Sequence, residues 1–348
     1  MFFYPRVFHS GRVHEVWVGL VGPYVMARPP PAPQCILRGV GAAVNTLHFS
    51  CDRPDPPLLF SGSTKGAVHI WNLNTRRPEN VLDGHGGSSV IWVNTLDRET
   101  VLSQGRDMRV CLWPLAEGRG DVSDSLYTGS VGFCQCSLLS RGPSSSLLAY
   151  ASEQMEEVKV LELSSKVPLC SLKPDKKLGM VMCLKIWQPD SGEGPLLVAG
   201  YEDGSVLLWD VSLGRPLNSL RVHPEPVMSL AFDPDRQRGA SGSAENTIRS
   251  WALDGQRNLQ QRESVELLNP GISQLCVRGD GKILASAGWD HQIRVFGWKK
   301  LKPLAVLKCH TDMVLSVTFS DHTDPAKRVM AAGSKDQRIS VWSIYNQS

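Results

Sequence analysis

Leu197-Val198-Ala199-Gly200-Tyr201-Glu202-Asp203-Gly204-Ser205-Val206-Leu207-Leu208-Trp209-Asp210 reads as two short apolar strands joined by a tight polar turn. The first strand ends at Gly200, the turn runs from Tyr201 to Gly204, and the second strand ends in a Trp-Asp pair. Alone, this is a β-hairpin. It decides the fold because the chain repeats it.

Aligning on Trp209 places Trp71, Trp113, Leu161, Trp251, Phe296 and Trp342 in register, with steps of 42, 48, 48, 42, 45 and 46 residues. A period in the forties, with four strand-sized runs per unit, predicts the blades of a propeller. The innermost strands are expected at 44–49, 90–96, 131–138, 181–186, 227–232, 272–277 and 314–319. The second and third strands follow each of these and are almost continuously apolar, as befits strands covered on both faces. Outermost strands are expected at 80–82, 122–127, 167–172, 216–222, 264–268 and 303–308, six for seven units. The seventh must be Gln34-Cys35-Ile36-Leu37-Arg38, which has the pattern of Leu304-Ala305-Val306-Leu307-Lys308. The N-terminal strand therefore completes the last blade beside 339–344, closing the ring without an open edge. The predicted fold is all-β, a seven-bladed propeller over 34–348.

Polar residues recur at fixed offsets. Asp107, Asp203, Asp290 and Asp336 precede the aromatic position by six residues, in the turn where Asp caps its own backbone. His85, His223 and His310 lie in loops before innermost strands, and Ser103, Ser241 and Ser286 lie four residues before the turn position. The second unit holds a full set, His85, Ser103, Asp107 and Trp113, which predicts a buried chain tying a loop to the strands. With Gly84-His85 and Trp209-Asp210, the pattern resembles the WD40 repeat family over about residues 34–345. The first unit departs from it with Lys65 at the Asp position. The third departs with Met155 and Leu161. Those two blades are expected to rely on packing alone and to be softer.

A narrower resemblance rests on Leu102-Ser103-Gln104-Gly105-Arg106-Asp107, Ser130-Val131-Gly132-Phe133-Cys134, Lys177-Leu178-Gly179-Met180, Asn269-Pro270-Gly271-Ile272, Ala287-Gly288-Trp289-Asp290-His291 and Ala332-Gly333-Ser334-Lys335-Asp336-Gln337-Arg338-Ile339-Ser340. With the opening hairpin, these resemble the ASTRA-associated protein 1 family, which takes in the G-protein β-subunit-like proteins. That resemblance implies a non-enzymatic role with the co-chaperone machinery that matures phosphatidylinositol 3-kinase-related kinases. It implies a place in DNA-damage signalling and chromatin-linked complexes, in cytoplasm and nucleus. A true G-protein β-type role is disfavoured, because the residues before the propeller are Pro-rich or Gly-interrupted and lack the heptads needed to coil with a γ subunit.

Other chemistries find little support. The His-Ser-Asp set belongs to the repeat scaffold, and no Gly-x-Ser-x-Gly turn exists, so no catalytic residue is assigned. Gly39-Val40-Gly41-Ala42-Ala43-Val44 lacks a third glycine and leads into a strand, so no cofactor loop is assigned. Arg278-Gly279-Asp280 reads as a hairpin turn and not an adhesion site, and the acceptor pattern Asn346-Gln347-Ser348 would count only in a secreted protein. Nine scattered cysteines form no Cys-x-x-Cys and read as thiols of a reducing compartment, with no metal site. The formal net charge is +3, and +2 of it lies in residues 1–33, which argues against nucleic acid. No apolar run reaches the length of a membrane helix. Residues 1–33 are read as a disordered or non-native extension, with Met26 as the usual initiator. A signal peptide is the other reading, weakened by Glu15 and a poor basic n-region.

The expected product is a monomeric scaffold for proteins. Its partner surface is assigned to the residues just before the turn Asp: Arg106, Glu202, Trp289 and Lys335, with Thr64 and Ala244 in equivalent places. Trp and Arg are favoured anchors at interfaces. Tyr201 is expected to share that exposure. Loops 188–194 and 174–177 form a second surface, read as solvated. A reader of histone tails or phosphopeptides is the alternative function.

Overall fold

The structure, a computed structural model, describes residues 30–50, 57–115, 120–142, 145–190 and 192–346. The expectations for the start of the chain, including Met26, fall outside the described residues up to residue 29. Seven four-stranded antiparallel sheets follow one another. Blade 4 carries the opening hairpin: Val181–Trp187, Leu196–Tyr201, Ser205–Asp210 and Arg215–Arg221, from the centre outward. All six residues of Leu196–Tyr201 are buried, the reason its alternation is absent from the sequence. Gly204 closes the turn at φ +89°, and a Cβ there would collide with the His223 carbonyl, so only glycine fits.

The last blade closes as expected. Cys35–Leu37 pairs antiparallel with Ile339–Trp342, in the register Cys35 opposite Val341 and Leu37 opposite Ile339. Each neighbouring pair of blades shares one apolar seam, seven in all. The aligned tryptophans Trp71, Trp113, Trp209, Trp251 and Trp342 are fully buried in these seams. Where Phe296 replaces tryptophan, Trp298 fills the seam two residues later and donates its indole N–H to Asp233 at 2.9 Å.

Two strand expectations need correction. The inner strand of blade 3 is Ser137–Ser140, not 131–138. The stretch before it departs from the ladder because the Gln104 side chain captures it, donating to the Cys134 carbonyl at 3.1 Å and accepting from Cys136 N–H at 2.9 Å. The outer strand of blade 5 is Leu259–Glu266, not 264–268. Its polar alternation hid it, because an outermost strand has no neighbour to bury its far face.

Inner strands of different blades share no ladder, yet side chains stitch them. Ser316 accepts from Leu47 N–H, Ser229 from Leu275 N–H and Ser137 from Ile186 N–H, at 3.0, 2.9 and 3.2 Å. These bonds hold the ring of inner strands that frames the central channel.

Candidate protein-interaction site

The polar chains fix the loops of one face. In blade 2, His85 Nδ1 lies 3.0 Å from Asp107, His85 Nε2 lies 2.7 Å from Ser103 Oγ, and Trp113 donates to Ser103 at 2.7 Å. All four predicted members meet. Blade 7 builds the same chain differently. His310 lies 3.0 Å from Asp336, but the hydroxyl comes from Ser340, 2.8 Å from His310 Nε2 and accepting from Trp342 at 2.8 Å. Ser340 stands directly across the ladder from Ala332, as Cys111 stands across from Ser103. Either member of that cross-strand pair reaches the same point. Blade 5 uses Glu245 for Asp, 2.5 Å from His223.

Burial lowers the His310 and His223 pKa values, and the neighbouring carboxylates only partly offset this. The neutral ring then donates from Nδ1 to the carboxylate and accepts the serine hydroxyl at Nε2; in blade 7 this satisfies every member, while in blade 5 the buried Trp251 indole N–H stays outside the chain. Asp336 lies below its ordinary value: burial raises it, but hydrogen bonds from Thr311 and His310 outweigh that.

Ser286 does not join such a chain. Its hydroxyl has no partner, because blade 6 has no histidine there and clamps Asp290 with Arg294 and Asn269 instead. Blades 1 and 3 do not rely on packing alone. Trp71 donates to Ser61 at 2.8 Å, and Glu157 accepts from Ser152 at 2.6 Å.

Held by these anchors, the predicted rim residues project from one face. Arg106, Glu202 and Lys335 are exposed, and Trp289 is half-buried. Glu202 accepts from Met180 N–H at 3.0 Å. Trp289 does lie on its own blade, packed on Gly271, where any Cβ would strike the ring, and it also lines the mouth of the channel. Tyr201 is not offered to a partner. It is 0% exposed in the seam between blades 3 and 4, because its strand continues through it to pair with Val181. The second surface is not one surface: 174–177 and 188–194 lie at opposite ends of the strand Val181–Trp187. The Arg278 side chain is 4% exposed and donates to the Ile344 carbonyl at 2.6 Å, so the Arg-Gly-Asp turn is part of the scaffold.

The channel mouth itself escaped the sequence. Six inner strands carry a β-bulge near their start, at 44–46, 90–92, 181–183, 227–229, 272–274 and 314–316. A bulge leaves one residue unpaired and re-aims it. Here the released residues are Asn45, Ile91, Met182, Met228, Ser273 and Leu315, and all six line a cavity of about 440 Å³. The signal was present in a form that no periodicity test reads: each follows the first Val or Ile of its inner strand.

The cavity has a floor. Gln274 donates to Gln135 at 3.4 Å across the channel, from blade 6 to blade 3. Gln135 in turn donates to the Ile91 carbonyl at 2.8 Å, and Gln274 accepts from Val317 N–H at 2.8 Å. At the rim the Arg106 guanidinium lies over the Phe133 ring, 4.5 Å from its centroid, and Phe133 is 59% exposed. Burial raises the Cys136 and Cys183 thiols well above their ordinary value, so they are neutral walls. Among the described lining residues, Arg106 is the charged one.

Among the described residues no group of three or more His, Cys, Asp and Glu is placed to hold a metal ion, and no helix is long and apolar enough to cross a membrane.

Known proteins carry the same pattern. The WD domain, G-beta repeat family matches residues 167–210, 214–252, 267–297 and 301–343. Guanine nucleotide-binding protein subunit beta-like protein 1 of Mus musculus is 52% identical over 322 residues, 91% of this chain and 97% of its own length. ASTRA-associated protein 1 of Schizosaccharomyces japonicus is 30% identical over 376 residues, 90% of this chain and 99% of its own length. The protein of that name in Schizosaccharomyces pombe is 26% identical over 380 residues, 90% of this chain and 99% of its own length. With seven blades in register and relatives matched over nearly their whole length, the chain belongs to the ASTRA-associated protein 1 family of WD40-repeat β-propellers.

Proposed function

We propose that this chain is a non-enzymatic interaction scaffold whose working face is the rim bearing Arg106, Glu202, Trp289 and Lys335. The observation that carries the reading is the juxtaposition of a half-exposed Trp289, an exposed Arg106–Phe133 pair and an open cavity on a face pinned by buried polar chains. Such a face presents anchors in fixed positions, which lowers the ordering cost of binding.

In this reading the chain serves a multiprotein assembly, in line with the name ASTRA-associated protein 1 borne by its relatives. The assembly is the co-chaperone machinery that matures phosphatidylinositol 3-kinase-related kinases, and the chain supports DNA-damage signalling from cytoplasm and nucleus. No nucleic acid, membrane or G-protein γ subunit takes part, and the propeller acts as a monomer.

The test is affinity purification from cells with quantitative mass spectrometry. The wild type is expected to recover co-chaperone subunits and kinases of that class, and Arg106→Ala with Trp289→Ala to recover them at least about fivefold less at unchanged expression. Equal recovery by the double variant refutes the working face. Stoichiometric recovery of a γ-type subunit refutes the role.

A further inference from the structure

The mouth above the Gln135–Gln274 bridge has the make-up of a site for one kind of ligand. Its wall is apolar and deformable, with Ile91, Met182, Met228 and Leu315 released by the bulges. Methionine has an unbranched, polarizable side chain that adapts to different shapes. The volume, about 440 Å³, suits one large side chain with part of its backbone and falls within the range of ligand pockets.

The turns between second and third strands differ in charge from blade to blade. The turns of blades 7, 1 and 2, which are neighbours in the closed ring, present Lys335, Lys65 and Arg106, all exposed. Blades 3 and 4 present Glu153 and Glu202, also exposed. Asp107 and Asp336 are turned inward onto histidines of their own blades, and Asp290 is ion-paired with Arg294, so the exposed ends of the arc are the basic ones. A negative group entering the mouth is drawn to Arg106, the charged residue of the lining, and to Lys65 and Lys335 on the neighbouring turns, whereas Glu202 shares blade 4 with the exposed Lys176 and Lys177.

We propose that the channel mouth captures a linear, acidic segment of a partner protein, seating one apolar side chain among Ile91, Met182, Met228 and Leu315 while a flanking carboxylate pairs with Arg106. Trp289, which lines the same mouth, closes over the seated side chain. The amide bridge stops the side chain from passing deeper. This deepens the working-face reading and rests on it, by naming the chemistry that the face selects.

The test is a heptapeptide array probed with the intact chain. The central residue runs through Leu, Ile, Met, Phe, Trp and Ser, and the flanks are all Asp, all Ser or all Lys. Binding is expected for apolar centres with Asp flanks, and about tenfold weaker or absent with Ser centres or Lys flanks. Arg106→Glu, an exposed change that leaves the thermal midpoint alone, is expected to abolish the Asp preference.

Tryptophan fluorescence localises the event. Of the nine described tryptophans eight are buried, and Trp289 is half-exposed. The part of acrylamide quenching that Trp289→Phe removes is expected to fall when the best array peptide is added.

Equal binding of Asp and Lys flanks, an Asp preference that survives Arg106→Glu, or unprotected Trp289 overturns the assignment. If the array shows no acidic preference while the Arg106→Ala and Trp289→Ala chain still loses its cellular partners, the mouth assignment falls and the working face stands. If the array behaves as expected but cellular capture is unchanged, the working-face reading falls and the mouth's ligand chemistry stands.

Discussion

Replacing Ser340 by alanine removes a hydroxyl that serves two buried groups at once, His310 Nε2 and the Trp342 indole N–H, each 2.8 Å away. His310 is 8% exposed and Trp342 1%, so water does not take the vacated place. An orphaned buried polar group costs roughly 1–3 kcal/mol, so the two together predict a loss of about 3 kcal/mol. For a domain of this size that lowers the thermal midpoint by about 5 °C.

The cross-strand geometry supplies a rescue. Ala332 faces Ser340 in the ladder, as Ser103 faces Cys111 in blade 2, where Ser103 serves both His85 and Trp113. Ala332→Ser with Ser340→Ala rebuilds the blade 2 arrangement in blade 7. It is expected to recover at least half of the loss, a coupling of more than about 1 kcal/mol between the two sites. Urea denaturation of the wild type, both single variants and the double variant measures this. A double variant no more stable than Ser340→Ala, or a single loss under about 0.5 kcal/mol, refutes the claim that the hydroxyl is interchangeable across the ladder.

Three further outcomes follow from the same structure. Burial, then the nearby Lys185, depress the His48 pKa from 6.5 to about 4. Its stabilising share is therefore complete above pH 6.5 and lost as the pH falls toward 4, of order 2 kcal/mol at pH 5. Denaturation at pH 7.5 and 5 should show this loss, and His48→Gln should show a smaller one; an unchanged pH slope sinks the assignment. Gln274→Ala releases Val317 N–H and breaks the bridge to Gln135. Exchange at the Val317 amide should rise about tenfold or more, and native-like protection would contradict the channel stitch. Leu37→Asp puts a charge at a fully buried position of the closing strand. At least about 3 kcal/mol should be lost, with faster hydrogen exchange across Ile339–Trp342 before the rest of the ring. Uniform loss of protection over all blades would argue against a local latch.

The architecture was legible because a propeller writes its rules into every unit. Strands buried on both faces must be apolar throughout, so Leu196–Tyr201 and its counterparts stand out, and a forty-odd-residue spacing follows from four strands and their turns. The count of outermost strands alone placed Cys35–Leu37 in blade 7. The polar chain of blade 2 was legible because all its members occupy their repeat offsets. That of blade 7 was not, because Ser340 sits on the neighbouring strand, and proximity across a ladder leaves no trace in spacing within one strand. Tyr201 was misplaced for a related reason: where a strand ends is decided by its pairing, here with Val181, and not by the turn residues that follow.

By itself, then, the sequence determined the ring, its closure and the turn residues Arg106, Glu202, Trp289 and Lys335 that share one face, since a repeat carries its own register. Tertiary structure alone decided what lies between them. The bridge from Gln135 to Gln274 joins residues 139 positions apart, and the cavity above it gathers one bulged residue from each of six blades. Those neighbours come from around a closed ring, and only closure of the ring brings them within reach.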